Sequence, residues 1–317
     1  MLVSNTPLRR GSAGAVSVRT VIPALIPYWQ PQVYQLGPVP IDPWATLVCI
    51  AFVLGLEVGR SRGIRIGLAP RDVVDGAVCV VGMGFVVGHL VHVLAYNRHL
   101  MQLDGQFDPW TAFVALGSVW AGFSSNGGFL GAVIGAILFY KVIRPRDFWK
   151  FADNAMYCFP FGYVFGRLGC FSVHDHIGVK ASEFPLLEFL AVDFPAPYQP
   201  RYDLGLLEAI WVATVAGLFF VVDRKWPNAP NGKFIALWGM TYAPIRFLLD
   251  FLRNTDLGEA SDVRYLGLTP AQYGSLLTIF GSTLVLVWLL KRQKKDSEAT
   301  PPVQEQDSEI AGTEAAD

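Results

Sequence analysis

The sequence predicts an all-α polytopic membrane protein of about seven transmembrane helices, carrying a small extracytoplasmic cap, with its N-terminus outside and its C-terminus in the cytoplasm. Three observations predict it. Hydrophobic residues make up 52 % of the chain and charged residues 16 %, against about 25 % charged in a soluble domain. Apolar stretches that meet or approach the roughly 20 residues needed to span hydrocarbon occur at 42–59, 72–96, 110–141, 151–171, 206–223, 234–252 and 270–290. Basic residues fill alternate connections: 60–71, 141–150, 224–233 and 291–295 carry four, four, three and four Lys or Arg, whereas 97–109, 172–205 and 253–269 carry one, two and two. Cytoplasmic loops hold the basic excess, which sets the orientation.

Taken in order, residues 1–41 form an extracytoplasmic segment whose basic residues precede no uninterrupted apolar core, so it is not read as a cleaved signal peptide. The third stretch is too long for one straight span, and "SSNGG" (124–128) near its middle marks a break or a close helix contact. Pro and aromatic residues in 172–205 suggest a small ordered cap. Residues 292–317 read as a disordered cytoplasmic tail, with seven acidic and no basic residues beyond 295.

Several classes drop out. A net charge of -1 leaves no footprint for nucleic acid. The four cysteines lie in apolar segments without a CxxC pair, so neither a disulfide framework nor redox work is implied. The chain has no internal repeat of the transporter kind and no charged path from side to side.

Placed by depth, the ionisable residues gather on one side. Arg167 lies in the outer third of the fourth span, and Arg246, Asp250 and Arg253 share one face of the sixth. Charge inside a membrane marks a functional site by default. Two guanidiniums at one depth on different helices call for a shared anion, and a phospholipid phosphate matches the paired donors of Arg. Arg253 reads equally well as snorkelling to the headgroups, and Arg246 with Asp250 as a self-neutralising pair. His89 and His92 share a face of the second span, while His174, Asp175 and His176 open the loop after the fourth. Their spacing is compatible with metal ligation but lacks any HExxH pattern, so no metal is assigned. Interfacial hydrogen bonding or general-base work are the other readings.

These residues resemble the prolipoprotein diacylglyceryl transferases of bacterial inner membranes. The family pattern G-R-x-G-N-F-x-N-G-E-x-x-G lies without gaps on Gly166 to Gly178, placing the family arginine on Arg167 and its glutamate on Asp175. "RFLLDFLR" (246–253) resembles R-F-x-x-E-F-x-R, and "LTPAQYGSLLTIFG" (268–281) resembles the opening of the family's last span, with Gln272 on its glutamine. "NGGFLG" (126–131) matches H-G-G-L-x-G with Asn126 in place of the histidine, and "IDPWATLVCIAFVLG" (41–55) puts Trp44 where a tyrosine is usual. Cys170 replaces the asparagine after Arg-x-Gly, and His89 and His92 stand where Arg and Tyr are usual.

The resemblance covers about 41–291 and implies a multi-pass enzyme of the bacterial inner membrane, with 42–291 as its catalytic domain. It implies transfer of a diacylglyceryl group from phosphatidylglycerol to the lipobox cysteine of a prolipoprotein, without a cofactor. A thioether forms and glycerol phosphate leaves. Arg167 and Arg246 would hold the departing phosphate, Asp250 would orient Arg246, and Gly127 and Gly128 would let backbone N–H groups approach the headgroup. Trp44, His89, His92, Arg253 and Gln272 would complete the substrate surface. For the acceptor thiol the sequence offers His174, His176, His89 or Asp175 in place of the histidine lost at Asn126; alternatively the arginines lower the thiol pKa without a base. The His-Asp-His cluster also reads as a loop cap in which Asp175 pairs with Arg167, and Cys170 as a small packing residue. A paralogous lipid transferase with another acceptor, or a non-catalytic lipid-binding protein, fits the same substitutions.

Overall fold

The computed structural model describes residues 26–119, 121–257 and 264–299. The expectations for residues 1–25 and for the tail beyond 299 lie outside the described residues. In chain order, strand β1 (Ile26–Pro27) and the hairpin β2 (Tyr34–Leu36)–β3 (Val39–Ile41) lead into helix α1 (Pro43–Arg65). Helix α2 (Pro70–Val91) runs on through a π-helical turn to Tyr96, and the hairpin β4 (Gln102–Leu103)–β5 (Gln106–Phe107) follows. Next come α3 (Pro109–Gly117), α4 (Ser125–Ile137, extended as π-helix to Ile143) and α5 (Phe148–Val173). Strands β6 (Ile177–Lys180), β7 (Val192–Asp193) and β8 (Arg201–Asp203) precede α6 (Leu204–Lys225), α7 (Lys233–Leu249) and α8 (Pro270–Ala299).

Among the described residues, six helical segments are long and apolar enough to cross a membrane: 43–65, 70–96, 125–143, 204–225, 233–252 and 270–295. Helix α5, with 26 residues, is long enough but more polar, because it carries Asp153, Asn154 and Arg167 inward. The long third stretch divides. Its first part is the nine-residue α3, and the chain leaves helix at Ser118 before Ser124 caps α4 through a bond from Gly127 N–H. Large apolar side chains such as Val53, Val78, Leu277 and Phe280 remain exposed on the helices, the surface pattern of chains solvated by lipid tails rather than water.

The helices pack through small residues. Helices α2 and α4 meet along Gly127, Gly131 and Gly135, where a Cβ on Gly131 would stand 2.3 Å from the Met83 carbonyl oxygen and 2.9 Å from Gly84 Cα. Such close backbone approach is how helices associate where no hydrophobic effect drives them together. At the basic end of the bundle a buried charge network ties three helices. Arg62 Nε of α1 donates to Asp223 Oδ1 of α6 at 2.8 Å, its Nη1 to Asn154 Oδ1 of α5 at 3.1 Å, and its Nη2 lies 3.6 Å from Asp153 Oδ2. Asp153 in turn accepts the N–H groups of Gly232 and Phe234 where α7 begins.

At the opposite end sits a four-stranded sheet of order β1-β7-β8-β6, in which β1 and β7 are parallel and the other pairs antiparallel. The all-helical expectation therefore gains a small sheet, built largely from the 172–205 connection. An isolated bridge from Gly178 to Arg253 joins it to the end of α7, so the sheet sits over the helix ends that carry Arg167 and Arg246.

Candidate active site

Three helices deliver charge to one buried point near the sheet. Arg167 lies six residues before the end of α5, Glu208 in the first turns of α6, and Arg246 in the last turn of α7. Arg167 Nη2 contacts both oxygens of Glu208, at 2.8 and 2.7 Å, and Arg246 Nε is 3.6 Å from Glu208 Oε2. Tyr163 donates to Glu208 Oε1 at 3.2 Å, and Tyr242 Oη donates to the same oxygen. Glu208 is 1 % exposed and both arginines 9 %. Arg167 thus takes Glu208 as its carboxylate partner, not the Asp175 of the loop-cap expectation. A lone acid in the apolar run "LGLLEAIWVATVAG" was the signal that reading passed over.

A second carboxylate orients the other guanidinium. Asp250, fully buried, accepts from Arg246 Nη1 at 2.6 Å and Arg253 Nε at 2.8 Å through one oxygen, and from Thr269 Oγ1 through the other. Thr269 and Gln272 form a reciprocal capping box at the start of α8, with Thr269 N–H donating to Gln272 Oε1 at 2.9 Å and Gln272 N–H to Thr269 Oγ1 at 3.2 Å. Gln272 Nε2 also donates to the Phe247 carbonyl at 3.2 Å, so its side chain fastens α8 to α7. Three guanidiniums, of Arg167, Arg246 and Arg253, and two carboxylates, of Glu208 and Asp250, meet here. Among the described residues, the buried Nε of Arg167 has no hydrogen-bond partner.

The remaining sequence candidates separate into those near this cluster and those engaged elsewhere. Trp44, in the first turn of α1, packs against α5, its Cδ1 3.3 Å from a Cβ placed on Gly169. Asn126, exposed at the start of α4, donates to Tyr96 Oη at 3.3 Å, and its Oδ1 is 3.9 Å from a Cβ placed on Gly274 of α8. Gly127 N–H bonds Ser124 Oγ and Gly128 N–H the Ser124 carbonyl, so both belong to the helix cap. His89 is 1 % exposed, with its ring nitrogens 3.0 Å from the Gly122 carbonyl and 2.8 Å from that of Ala115. It fastens the α3–α4 break to α2. The His92 ring stacks 6.4 Å from it and bonds Asn97.

The His-Asp-His cluster divides sharply. His174 ends α5 in the left-handed conformation (φ 50°) and turns inward, Nδ1 bonding Asp203 Oδ2 at 2.8 Å and Nε2 the Trp29 carbonyl at 3.1 Å. Its ring stacks on Tyr28 at 4.7 Å. The two residues after it turn outward. His176 Nδ1 bonds Asp175 Oδ1, and a thiol, carboxylate and imidazole atom from Cys170, Asp175 and His176 all lie within 4.8 Å of one another. Arg167 Nη1 is 3.6 Å from Cys170 Sγ.

Comparison with known proteins meets this arrangement. The sequence model of the prolipoprotein diacylglyceryl transferase family matches residues 31–288. A phosphatidylglycerol–prolipoprotein diacylglyceryl transferase of Acaryochloris marina is 27 % identical over 283 residues, covering 84 % of this chain and 94 % of that protein. The Pasteurella multocida protein of the same name is 29 % identical over 267 residues, covering 82 % and 90 %, and that of Aliivibrio salmonicida 28 % over 275 residues, covering 84 % and 89 %. The match spans every helix that contributes to the charge cluster, and with it this multi-pass membrane chain belongs to the prolipoprotein diacylglyceryl transferase family.

Proposed function

We propose that the protein transfers the diacylglyceryl group of phosphatidylglycerol to the lipobox cysteine of prolipoproteins in the bacterial cytoplasmic membrane. Helix α5 serves as the seventh span, the N-terminus and sheet lie outside, and the basic helix ends face the cytoplasm. The observation that carries the reading is the convergence of Arg167 and Arg246 on one buried carboxylate. Glu208 and Asp250 hold the two guanidiniums in place, and the lipid phosphate is the anion they receive. As the C–O bond to phosphate breaks, charge grows on the leaving oxygen, where preorganised donors stabilise it most. Trp44 and Asn126 border the headgroup and Gln272 fixes the wall behind it. The acceptor thiol meets the exposed Asp175–His176 pair, whereas His174 secures the sheet.

The test is adduct formation on a synthetic lipobox peptide given labelled phosphatidylglycerol, read by mass spectrometry. The expected product is a diacylglyceryl thioether that disappears in Arg246→Ala. Glycerol phosphate released without adduct would assign a different acceptor. Neither product, from protein that still binds lipid, would refute the enzyme.

A further inference from the structure

We infer that Tyr163 is a positioning residue for the leaving phosphate, its ring being the plate that sets the plane of the Arg167 guanidinium. The inference rests on the transfer reaction proposed above and names what aims one of its two arginines. A guanidinium gripped by a carboxylate through two parallel N–H groups is fixed both in direction and in plane. Arg167 is not gripped in that way. Both oxygens of Glu208 lie on the single nitrogen Nη2, at 2.8 and 2.7 Å, which makes the pair a pivot about which Nε and Nη1 can swing. Among the described residues, the buried Nε has no hydrogen-bond partner, and Nη1 reaches Cys170 Sγ, a weak acceptor, at 3.6 Å. Arg246 is held differently, at two nitrogens by two carboxylates: Asp250 at Nη1 and Glu208 at Nε.

What stops the swing at Arg167 is the aromatic face beneath it. Tyr163 stands four residues before Arg167 on α5, the spacing that stacks two side chains on one side of a helix. The guanidinium carbon lies 5.2 Å from the ring centroid, within the range of a cation–π contact. The ring is itself immobilised. It stacks on Phe159 at 5.0 Å and meets Trp238 and Tyr242 edge-on at 6.1 and 5.8 Å. Its hydroxyl lies 3.2 Å from Glu208 Oε1 and 3.1 Å from Tyr242 Oη. Tyr163 therefore touches both halves of the Arg167–Glu208 pair, with its ring against the cation and its hydroxyl against the carboxylate.

The plane matters because the phosphate gains charge as the reaction proceeds. The sulfur lone pair forms a C–S bond to the glyceryl carbon as the C–O bond to phosphate breaks, and the thiol proton leaves through the Asp175–His176 pair. The C–O bonding pair stays on the phosphate oxygen, so a singly charged diester becomes a monoester carrying close to two negative charges. An N–H of Arg167 turned out of line is a small loss when the diester binds and a larger one once the second charge develops. Tyr163 therefore acts on kcat more than on KM.

The experiment compares full-length wild type, Tyr163→Phe and Tyr163→Leu in mixed micelles of varied phosphatidylglycerol content with a lipobox peptide. Phe keeps the aromatic face and loses the hydroxyl, whereas Leu loses both. The Leu variant should lose about 30-fold in kcat, as expected for a desolvated cation–π contact, with KM for phosphatidylglycerol within about threefold of wild type. The Phe variant should lose no more than about threefold in kcat, as expected for one hydrogen bond. Glycerol phosphate, titrated calorimetrically against each protein, should follow kcat: about 30-fold weaker for Leu and no more than about threefold for Phe. A merely structural tyrosine would lower the folded fraction and leave the glycerol phosphate affinity of the remainder unchanged, which overturns the role. Equal losses in Phe and Leu would give the effect to the hydroxyl and overturn the plate. A Leu variant with wild-type kcat and affinity overturns it as well, and leaves the transfer reaction standing. Wild-type protein that binds glycerol phosphate but forms no adduct overturns the transfer reaction and the positioning role within it.

Discussion

Replacing Glu208 by Gln tests whether that carboxylate, and not packing alone, aims the two arginines. The change keeps side-chain shape and removes one negative charge from a site 1 % exposed. Arg167 contacts both carboxylate oxygens, at 2.8 and 2.7 Å, whereas Arg246 keeps Asp250 at 2.6 Å. Arg167 is therefore the group left uncompensated, its Nη2 facing an amide N–H₂ that cannot accept. Breaking a buried pair in this way costs about 3–5 kcal/mol. At about 1.4 kcal/mol per factor of ten, that is two to three and a half powers of ten. Denaturant titration in micelles should show the stability loss, and kcat/KM for phosphatidylglycerol a fall of comparable order. Because Arg167 would then lack its carboxylate, phosphate or phosphatidylglycerol should return part of the stability by binding the folded state. A Gln variant with wild-type stability and rate would refute the reasoning outright.

Other outcomes follow from the same contacts. His174→Gln should lower stability while leaving substantial transfer activity, since His174 joins α5 to β8 and to Trp29. His176→Gln should do the reverse, cutting the rate by about 100-fold or more with little change in unfolding. Asp223→Asn, at the opposite end of the bundle, leaves Arg62 and Arg65 without their shared carboxylate and should cost about 3–5 kcal/mol in the same titration. Asp256, held below the usual carboxylate range chiefly by its hydrogen bonds from Arg201, adds stability that is complete above the ordinary aspartate pKa of about 3.9. That contribution falls as pH drops through the lowered value. With Asp256 42 % exposed it is worth at most about 1 kcal/mol, and the acid limb of an unfolding-against-pH curve should flatten in Asp256→Asn.

Hydropathy and spacing disclosed much of this structure because lipid leaves few options. A run of some 20 apolar residues has no other way to satisfy its backbone than a helix, and Arg246, Asp250 and Arg253 at intervals of four and three had to share a face. The same spacing logic failed for His174 and His176. One left-handed residue at the end of α5 sends His174 to Asp203 and its neighbours outward, and no periodicity encodes that reversal. Glu208 was missed for the opposite reason: a single acid hardly moves the mean hydropathy of its helix, yet in hydrocarbon it is the least affordable residue there. Gln272 joined the substrate surface through its alignment with the glutamine of the family's last span, and its capping box with Thr269 became visible only with the two side chains in place.

The glycine seam between α2 and α4 constrains how this chain can change over time. Gly127, Gly131 and Gly135 recur every four residues, and each meets backbone or β-carbon of α2. A residue inserted within that interval would turn the rest of α4 by about 100°, putting Leu130 where Gly131 meets Met83 and Gly84, or Ile134 where Gly135 meets Cys79 and Val80. Length in this stretch is thus as fixed as composition. Substitution on the lipid side remains open to drift, so a mutational scan of α4 should return a stripe of intolerance along one face and near-indifference along the other.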